Sequence, residues 1–284
     1  MYVPGSDERK ILKSAALGLD GAILDLEDGV AFNRKDDARV TIRRALENVD
    51  FGRTERLVRI NPIYSGRAEE DLRAVLPGRP DAILIPKADT PQIVSEVDGI
   101  ITAVENEQGW EPNGIAITLL IESSTAFVNL ATICQASPRV QALIFGAEDF
   151  CADAGVTRTI EARELLYARS ALVMHAAAFG LQAIDMVQVN YLDNDLLEIE
   201  CREAAELGFT GKTVVHPAQI DVVQRAFTPS AKLIAYAREI VAGATAAQQS
   251  GSGVFTHEGK LVDLPVVKRA ENILARARAA GMDV

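Results

Sequence analysis

Charged residues stand at the ends of short apolar runs in this sequence. Asp25, Glu27 and Asp28 follow Ala22-Ile23-Leu24, Arg59 closes Leu57-Val58, Lys87 follows residues 82–85 and Pro86, Glu122 follows residues 115–121, and Asp149 comes shortly after residues 142–145. Glu122 and Asp149 belong to consecutive runs. Mg²⁺ takes only one or two protein carboxylates and fills its other positions with water and substrate oxygens, so this sparse pair suits it. The same acids would also serve as helix caps or salt-bridge partners, and position alone leaves both readings open. Asp25, Glu27 and Asp28 are like charges that need a cation or hydrogen-bond donors nearby. Either they orient water bound to the metal, or Asp28-Gly29 is a turn and Asp25 bonds backbone groups.

Arg59 lies among apolar residues, where a guanidinium requires an anionic partner. A substrate carboxylate or a developing enolate oxygen fits, and so does an ion pair with Asp25 or Glu27. Lys87 reads as an ion-pair partner rather than a Schiff-base amine, because no apolar pocket around it is evident. His216, before Pro217, reads as a hydrogen-bonded or ligand-positioning group before a general base. His175 and His257 are remote from it and no Cys-x-x-Cys occurs, which disfavours zinc. Phosphate-loop and G-x-G-x-x-G signatures are absent, and Gly251-Ser252-Gly253 reads as a flexible link.

Elements must bring these residues together. Eight short, almost wholly apolar runs, at residues 2–3, 22–24, 57–60, 82–85, 115–121, 142–145, 183–189 and 212–215, read as strands buried on both faces of a parallel sheet. Helical patterns lie between most of them. The count of eight favours a closed TIM (β/α)8 barrel over an open doubly wound sheet, and in such barrels the chemistry gathers at the carboxyl ends of the strands. Ser6 is the expected N-cap of a helix over residues 7–17 ended by Gly18. Pro91 opens another, and Thr159 precedes a long helix over 160–179 ended by Gly180. Helices over about 230–247 and 264–280, joined through a loop at 249–253, remain after the barrel. The expected division is a catalytic barrel at residues 1–227 and a C-terminal helical extension at 228–284.

Composition narrows the function. In 284 residues, 48% are hydrophobic and 24% charged, and the net charge is −11, which disfavours a nucleic-acid partner. Cys134, Cys151 and Cys201 are three and widely spaced, as in a reducing compartment, and no run approaches the length of a spanning helix. The expectation is a cytoplasmic protein with no leader and no membrane partner.

Tyr2-Val3-Pro4-Gly5, Asp25-Leu26-Glu27-Asp28-Gly29-Val30, Val58-Arg59-Ile60-Asn61, Ile85-Pro86-Lys87, Ile121-Glu122-Ser123, Gly146-Ala147-Glu148-Asp149-Phe150 and Val215-His216-Pro217-Ala218-Gln219-Ile220 occur in that order over nearly the whole chain. Together they resemble the HpcH/HpaI aldolase and citrate lyase β-subunit-like family. Residues 178–185, Gly208-Phe209-Thr210-Gly211-Lys212 and Val262-Asp263-Leu264-Pro265 are most similar to its stand-alone citramalyl-CoA lyases. The resemblance implies a TIM barrel whose extension reaches a neighbouring subunit of a homotrimer, with Mg²⁺ on Glu122 and Asp149. It further implies that Arg59 contacts substrate, that Tyr2, Arg9 and Lys13 line the CoA-thioester side, and that the Val215-His216 backbone meets ligand. Asp263, which by type reads only as an N-cap before Leu264-Pro265, resembles the family's acid/base. The implied reaction is reversible cleavage of citramalyl-CoA into acetyl-CoA and the keto acid pyruvate. Alternatives are a malyl-CoA lyase, a citrate lyase β subunit working on a carrier-bound thioester, or, in another class, a CoA-thioester hydrolase or a non-catalytic CoA-ester binder. Two departures stand out: the family usually has a few residues before Tyr-Val-Pro-Gly where Met1 stands here, and Ser123 replaces a frequent Thr.

Overall fold

In the computed structural model, which describes residues 1–284, the apolar runs become eight strands. They are β1 (Tyr2–Pro4), β2 (Gly21–Asp25), β3 (Glu55–Arg59), β4 (Ala82–Ile85), β5 (Ala116–Ile121), β6 (Val140–Phe145), β7 (Gln182–Asp185) and β8 (Gly211–Lys212). They pair in sequence order, every pair parallel. Between the last strand and the first, the Tyr2 N–H donates to the Val214 carbonyl at 3.0 Å. Parallel neighbours require crossovers, and these are helical: α1 (Glu8–Ala15), α2 (Lys35–Asn48), α3 (Ala68–Val75), α4 (Pro91–Gln108), α5 (Ser124–Val128), α6 (Leu130–Ile133), α7 (Ala147–Ala154), α8 (Leu166–Phe179) and α9 (Asn194–Leu207). The architecture is the expected TIM barrel.

Alternation along the strands decides which strand-end residues share the rim. Ile23, Leu57, Leu84, Leu120 and Ile144 pack together with Ala82, flanked by Tyr2, Ala116 and Ile184. Strand side chains alternate faces with a period of two, so Asp25, Arg59, Glu122 and Gly146, each two positions further on, continue the same inward rows. Asp185 follows Ile184 directly and takes the opposite face. There it is fully buried against Arg169 of α8, at 3.1 and 3.0 Å, and Lys212, at 3.1 Å, while Lys212 also meets Glu200 of α9 at 3.0 Å. This strand-end acid therefore ties the sheet to its helices.

Several boundaries differ from the sequence expectation for local reasons. Asp7, not Ser6, caps α1, accepting the Lys10 N–H at 3.1 Å. The helix expected from residue 160 begins only at Leu166. Glu164 accepts both the Thr159 N–H and its hydroxyl at 2.8 Å, and Ala162 adopts a left-handed conformation that breaks the helical path. β7 ends at Asp185 and β8 at Lys212 because their mutual pairing is the last rung of the ladder.

The chain divides into two units, Met1–Val223 and Gln224–Val284, the division falling within α10 (Ile220–Phe227). In the second unit, α11 (Ala231–Gln249) and α12 (Leu264–Ala279) bracket a hairpin of β9 (Phe255–His257) and β10 (Lys260–Val262). Ile234, Ala237 and Ile240 pack with Ala270, Leu274, Ala277 and Val262. His257 lies at the end of β9. The hairpin turns at Glu258 and Gly259, both at positive φ as a tight two-residue turn requires. No helix is long and apolar enough to cross a membrane, and all three cysteines are free and buried.

A buried ion pair fixes one side of the barrel. Glu105 of α4 accepts from Arg139 Nη1 at 2.8 Å and Nη2 at 2.5 Å, and from the Gly114 and Ile115 N–H groups at 3.0 and 3.2 Å. Burial alone would raise its pKa, but Arg139 and these N–H groups outweigh that and hold the carboxyl below its usual range. Glu105→Gln removes one of the two carboxylates that Arg139 meets, Asp98 remaining at 2.6 Å, so it should lower stability by about 1.5–3 kcal/mol in urea denaturation at neutral pH. Because the folded pKa is depressed, this stabilisation is present above the ordinary carboxyl pKa and is lost as pH falls through the lowered value. The difference from wild type should shrink on acidification.

Candidate active site

Arg59 is placed by Asp25 on the neighbouring strand. Its Nε and Nη2 donate to Asp25 Oδ1 and Oδ2, both at 2.6 Å, and Nη1 lies 2.9 Å from Glu27 Oε2. Asp28, mostly exposed, is 3.9 Å away. Asp25 also accepts the Glu27 and Gly29 N–H groups at 2.8 Å, so four donors occupy a carboxylate with about four acceptor sites. Of the two readings of Asp25, the geometry fits the one in which it bonds backbone groups rather than orienting water: its acceptors are spent on Arg59 and the backbone. Gly29 makes this possible, since a Cβ there would lie 2.6 Å from Asp25 Oδ2. One N–H on each terminal nitrogen of Arg59 remains for a ligand. Its guanidinium also lies over the Tyr2 ring, 4.8 Å from the centroid. Burial, opposed by Arg59, pushes the Glu27 carboxyl up to about 8.

On the adjoining rim, Glu122 extends β5 and Asp149 occupies the first turn of α7. Glu122 is buried; Asp149 is half exposed. Lys87 addresses both. Its backbone N–H donates to Glu122 Oε1 at 2.8 Å, and its ammonium pairs with Asp149 and lies 3.6 Å from Glu122 Oε1. Burial raises the Glu122 pKa to about 7, with Lys87 the main opposing influence. Burial also works against the Lys87 ammonium, but Asp149 and Glu122 prevail and its pKa lies above the usual value. Lys87 adopts φ 48°, a left-handed conformation that costs a non-glycine residue about 1–2 kcal/mol. The turn is kept by the Asp89 N–H donating to the Lys87 carbonyl at 2.8 Å, with Asp89 bonded in turn to Ser123 and Asn129. The pattern of residue types did not reveal that this backbone holds Glu122; a lysine immediately after a strand-ending proline was the available signal.

These carboxylates fit a hard divalent cation. Nowhere do three or more His, Cys, Asp or Glu side chains converge in the manner of an all-protein cage. Glu122 and Asp149 instead offer two oxygen donors around a point that already accommodates the Lys87 ammonium, which suits Mg²⁺ with water and substrate completing its sphere.

The remaining predicted residues are distributed more widely. Tyr2 borders the Arg59 pocket, its phenol pKa raised by burial. Arg9 and Lys13 are exposed on α1 and pair with no acid. The Val215 and His216 N–H groups both donate to Gln219 Oε1, at 3.0 and 3.1 Å, and are thereby taken up within the protein. His216 Nδ1 accepts the Ala218 N–H at 3.2 Å while its ring stacks on Tyr191, a capping role. Asp263, in the second unit, caps α12 by accepting the Val266 N–H at 3.4 Å.

The residues matched by the model of the HpcH/HpaI aldolase/citrate lyase family are 1–217. The chain is 40% identical over 288 residues to the mitochondrial citramalyl-CoA lyase of Rattus norvegicus, spanning 98% of this chain and 85% of that protein. It is 35% identical to the citrate lyase subunit beta of Leuconostoc mesenteroides subsp. cremoris, spanning 98% and 92%. A crystal structure of protein CitE from Mycobacterium tuberculosis, in complex with magnesium, acetoacetate and coenzyme A, superposes with a TM-score of 0.78 at 33% identity, covering 98% of this chain and 96% of that one.

Gly146 is the steric condition of the carboxylate pair. A Cβ there would lie 2.5 Å from Glu122 Cβ and 2.8 Å from Glu122 Oε2. Gly146→Ala should therefore leave the circular dichroism spectrum unchanged but weaken Mg²⁺ binding about tenfold or more in calorimetric titration.

Proposed function

The chain belongs to the HpcH/HpaI aldolase/citrate lyase family, and from that premise we propose that it is a Mg²⁺-dependent carbon–carbon lyase that cleaves citramalyl-CoA reversibly into pyruvate and acetyl-CoA. The observation that carries this reading is the juxtaposition on one barrel rim of a cation-holding pair, Glu122 and Asp149, with a guanidinium, Arg59, that keeps donors free for an anion.

Glu122 and Asp149 would hold Mg²⁺, which supplies Lewis-acid polarisation of the oxygens on the keto-acid half. A rim carboxylate or water takes the substrate hydroxyl proton as the carbon–carbon bond breaks. The electron pair passes to the α-carbon of the departing thioester, leaving pyruvate and an enolate. Arg59, aimed by Asp25 before any substrate arrives, places its unpaired N–H groups on the enolate oxygen, where preorganised donors stabilise developing charge. Asp263 delivers a proton to the enolate carbon and completes the methyl group of acetyl-CoA; in the condensing direction it removes that proton. Arg9 and Lys13, exposed and unpaired, are free to meet the anionic part of the CoA ester, and Tyr2 lines the thioester side.

Homotrimerisation, with Asp263 serving a neighbouring subunit, belongs to the same proposal. The outer face of α8 supports association: Leu166, Tyr167, Ser170, Met174, Ala177 and Ala178 are exposed there with no charged residue among them. A helix exposed to water ordinarily carries charge on that face.

Purified protein with Mg²⁺ and citramalyl-CoA should yield pyruvate and acetyl-CoA in equal amounts, abolished by EDTA. Free CoA without keto acid would establish a hydrolase instead, and inertness toward CoA esters would favour a carrier-bound substrate. Asp263→Asn should lower kcat about 10²–10⁴-fold with Mg²⁺ affinity retained; unchanged turnover in that variant would remove Asp263 from the mechanism.

A further inference from the structure

The turn after β4 brings a cation into the place that the carboxylate pair reserves for one. The Lys87 ammonium contacts Asp149 and lies 3.6 Å from Glu122 Oε1. The backbone from which it extends cannot drift: its N–H is bonded to Glu122 at 2.8 Å, its carbonyl to the Asp89 N–H at 2.8 Å, and its φ of 48° is locked between them. Only the side-chain torsions are free, and the side chain is about a fifth exposed, so a path toward solvent is open. A divalent ion and an ammonium cannot share two carboxylates, since like charges at contact distance repel strongly in a partly buried site. Nothing in the reaction proposed above requires Lys87, so its charge and position are unexplained by that mechanism.

We propose that Lys87 is a tethered competitor of the metal, whose ammonium keeps Glu122 and Asp149 aimed at one point and must be displaced when Mg²⁺ binds between them. This rests on the reading of that pair as the Mg²⁺ site. Lys87 is on this view a positioning residue: it prevents the two acids from turning apart and lowers the affinity for the ion. The backbone hydrogen bond to Glu122 survives any side-chain substitution, so the effect of the charge can be isolated.

The test is calorimetric titration of the full chain with Mg²⁺ at about pH 8.5, where protons do not compete for the carboxylates, with thermal melts in the presence and absence of the ion. Lys87→Met should bind Mg²⁺ about tenfold more tightly than wild type, because no cation has to be expelled. Its melting temperature should fall below that of wild type without Mg²⁺ and recover when Mg²⁺ is saturating. Lys87→Arg, which keeps the charge, should retain the weaker binding of wild type. Lys87→Gln serves the same purpose as Lys87→Met should the latter fail to fold. Unchanged or weaker binding in the neutral variants, or a loss of melting temperature equal with and without Mg²⁺, would overturn the inference. Wild-type protein that binds no Mg²⁺ would overturn both it and the reading of the site. Wild-type binding without tightening in the variants would overturn the role of Lys87 alone.

Discussion

The Asp25–Arg59 contact is the interaction on which the rim depends. Both residues occupy inward rows of the barrel, two positions beyond the apolar layer formed by Ile23 and Leu57, and burying either alone would leave an uncompensated charge. Their strands are neighbours in register, Asp25 opposite Arg59, so the pair forms as a consequence of the ladder. Two N–H groups of Arg59 are thereby fixed, and the direction of its remaining donors is set by the scaffold. Glu27 and Gly29 complete the arrangement by donating backbone N–H groups to the same carboxylate. A site that stabilises charge forming on a substrate gains from this rigidity, because its donors need no reorganisation during the reaction.

The adjoining part of the rim uses a different device. No guanidinium hydrogen-bonds Glu122, and its placement comes from the Lys87 backbone N–H and ammonium and from the space left beside Gly146. Glycine at this position and a left-handed lysine at the end of β4 are local departures from what strand and helix formation would favour. They coincide with the part of the barrel where two carboxylates must face each other. The two parts together separate positive and negative functions: one aims donors at an anion, the other aims oxygen donors at a cation.

Much of this was legible in the residues, and what was not has identifiable causes. Strands buried on both faces announce themselves as unbroken apolar runs, which is why the eight strands and the charged residues at their ends could be read directly. The end of β7 could not, because Met186-Val187 continues the apolar run after the ladder has stopped. Thr159 resembled a helix start, but Glu164 takes its hydrogen bonds and Ala162 turns the chain the other way. The hairpin of β9 and β10 is short and follows a Gly/Ser stretch, so the Glu258-Gly259 turn signal was masked by its surroundings. Asp185 is the instructive case among the charges: it lies at a strand end like the others, yet one residue of phase sends it outward to Arg169 and Lys212. Saturation of Asp25 by four donors, likewise, is a property of geometry that residue type alone does not convey.

The closure between β8 and β1 has a consequence for how the barrel breathes. β8 contributes only two residues to the ladder, and the closure onto β1 is made just beyond it, where the Tyr2 N–H donates to the Val214 carbonyl. Local openings follow the regions with the fewest hydrogen bonds to break, and this seam is such a region. Its two flanks are Tyr2, which borders the Arg59 pocket, and the Val215-His216 corner. A ligand that bridged both flanks would act as a stitch and slow fraying along that one line.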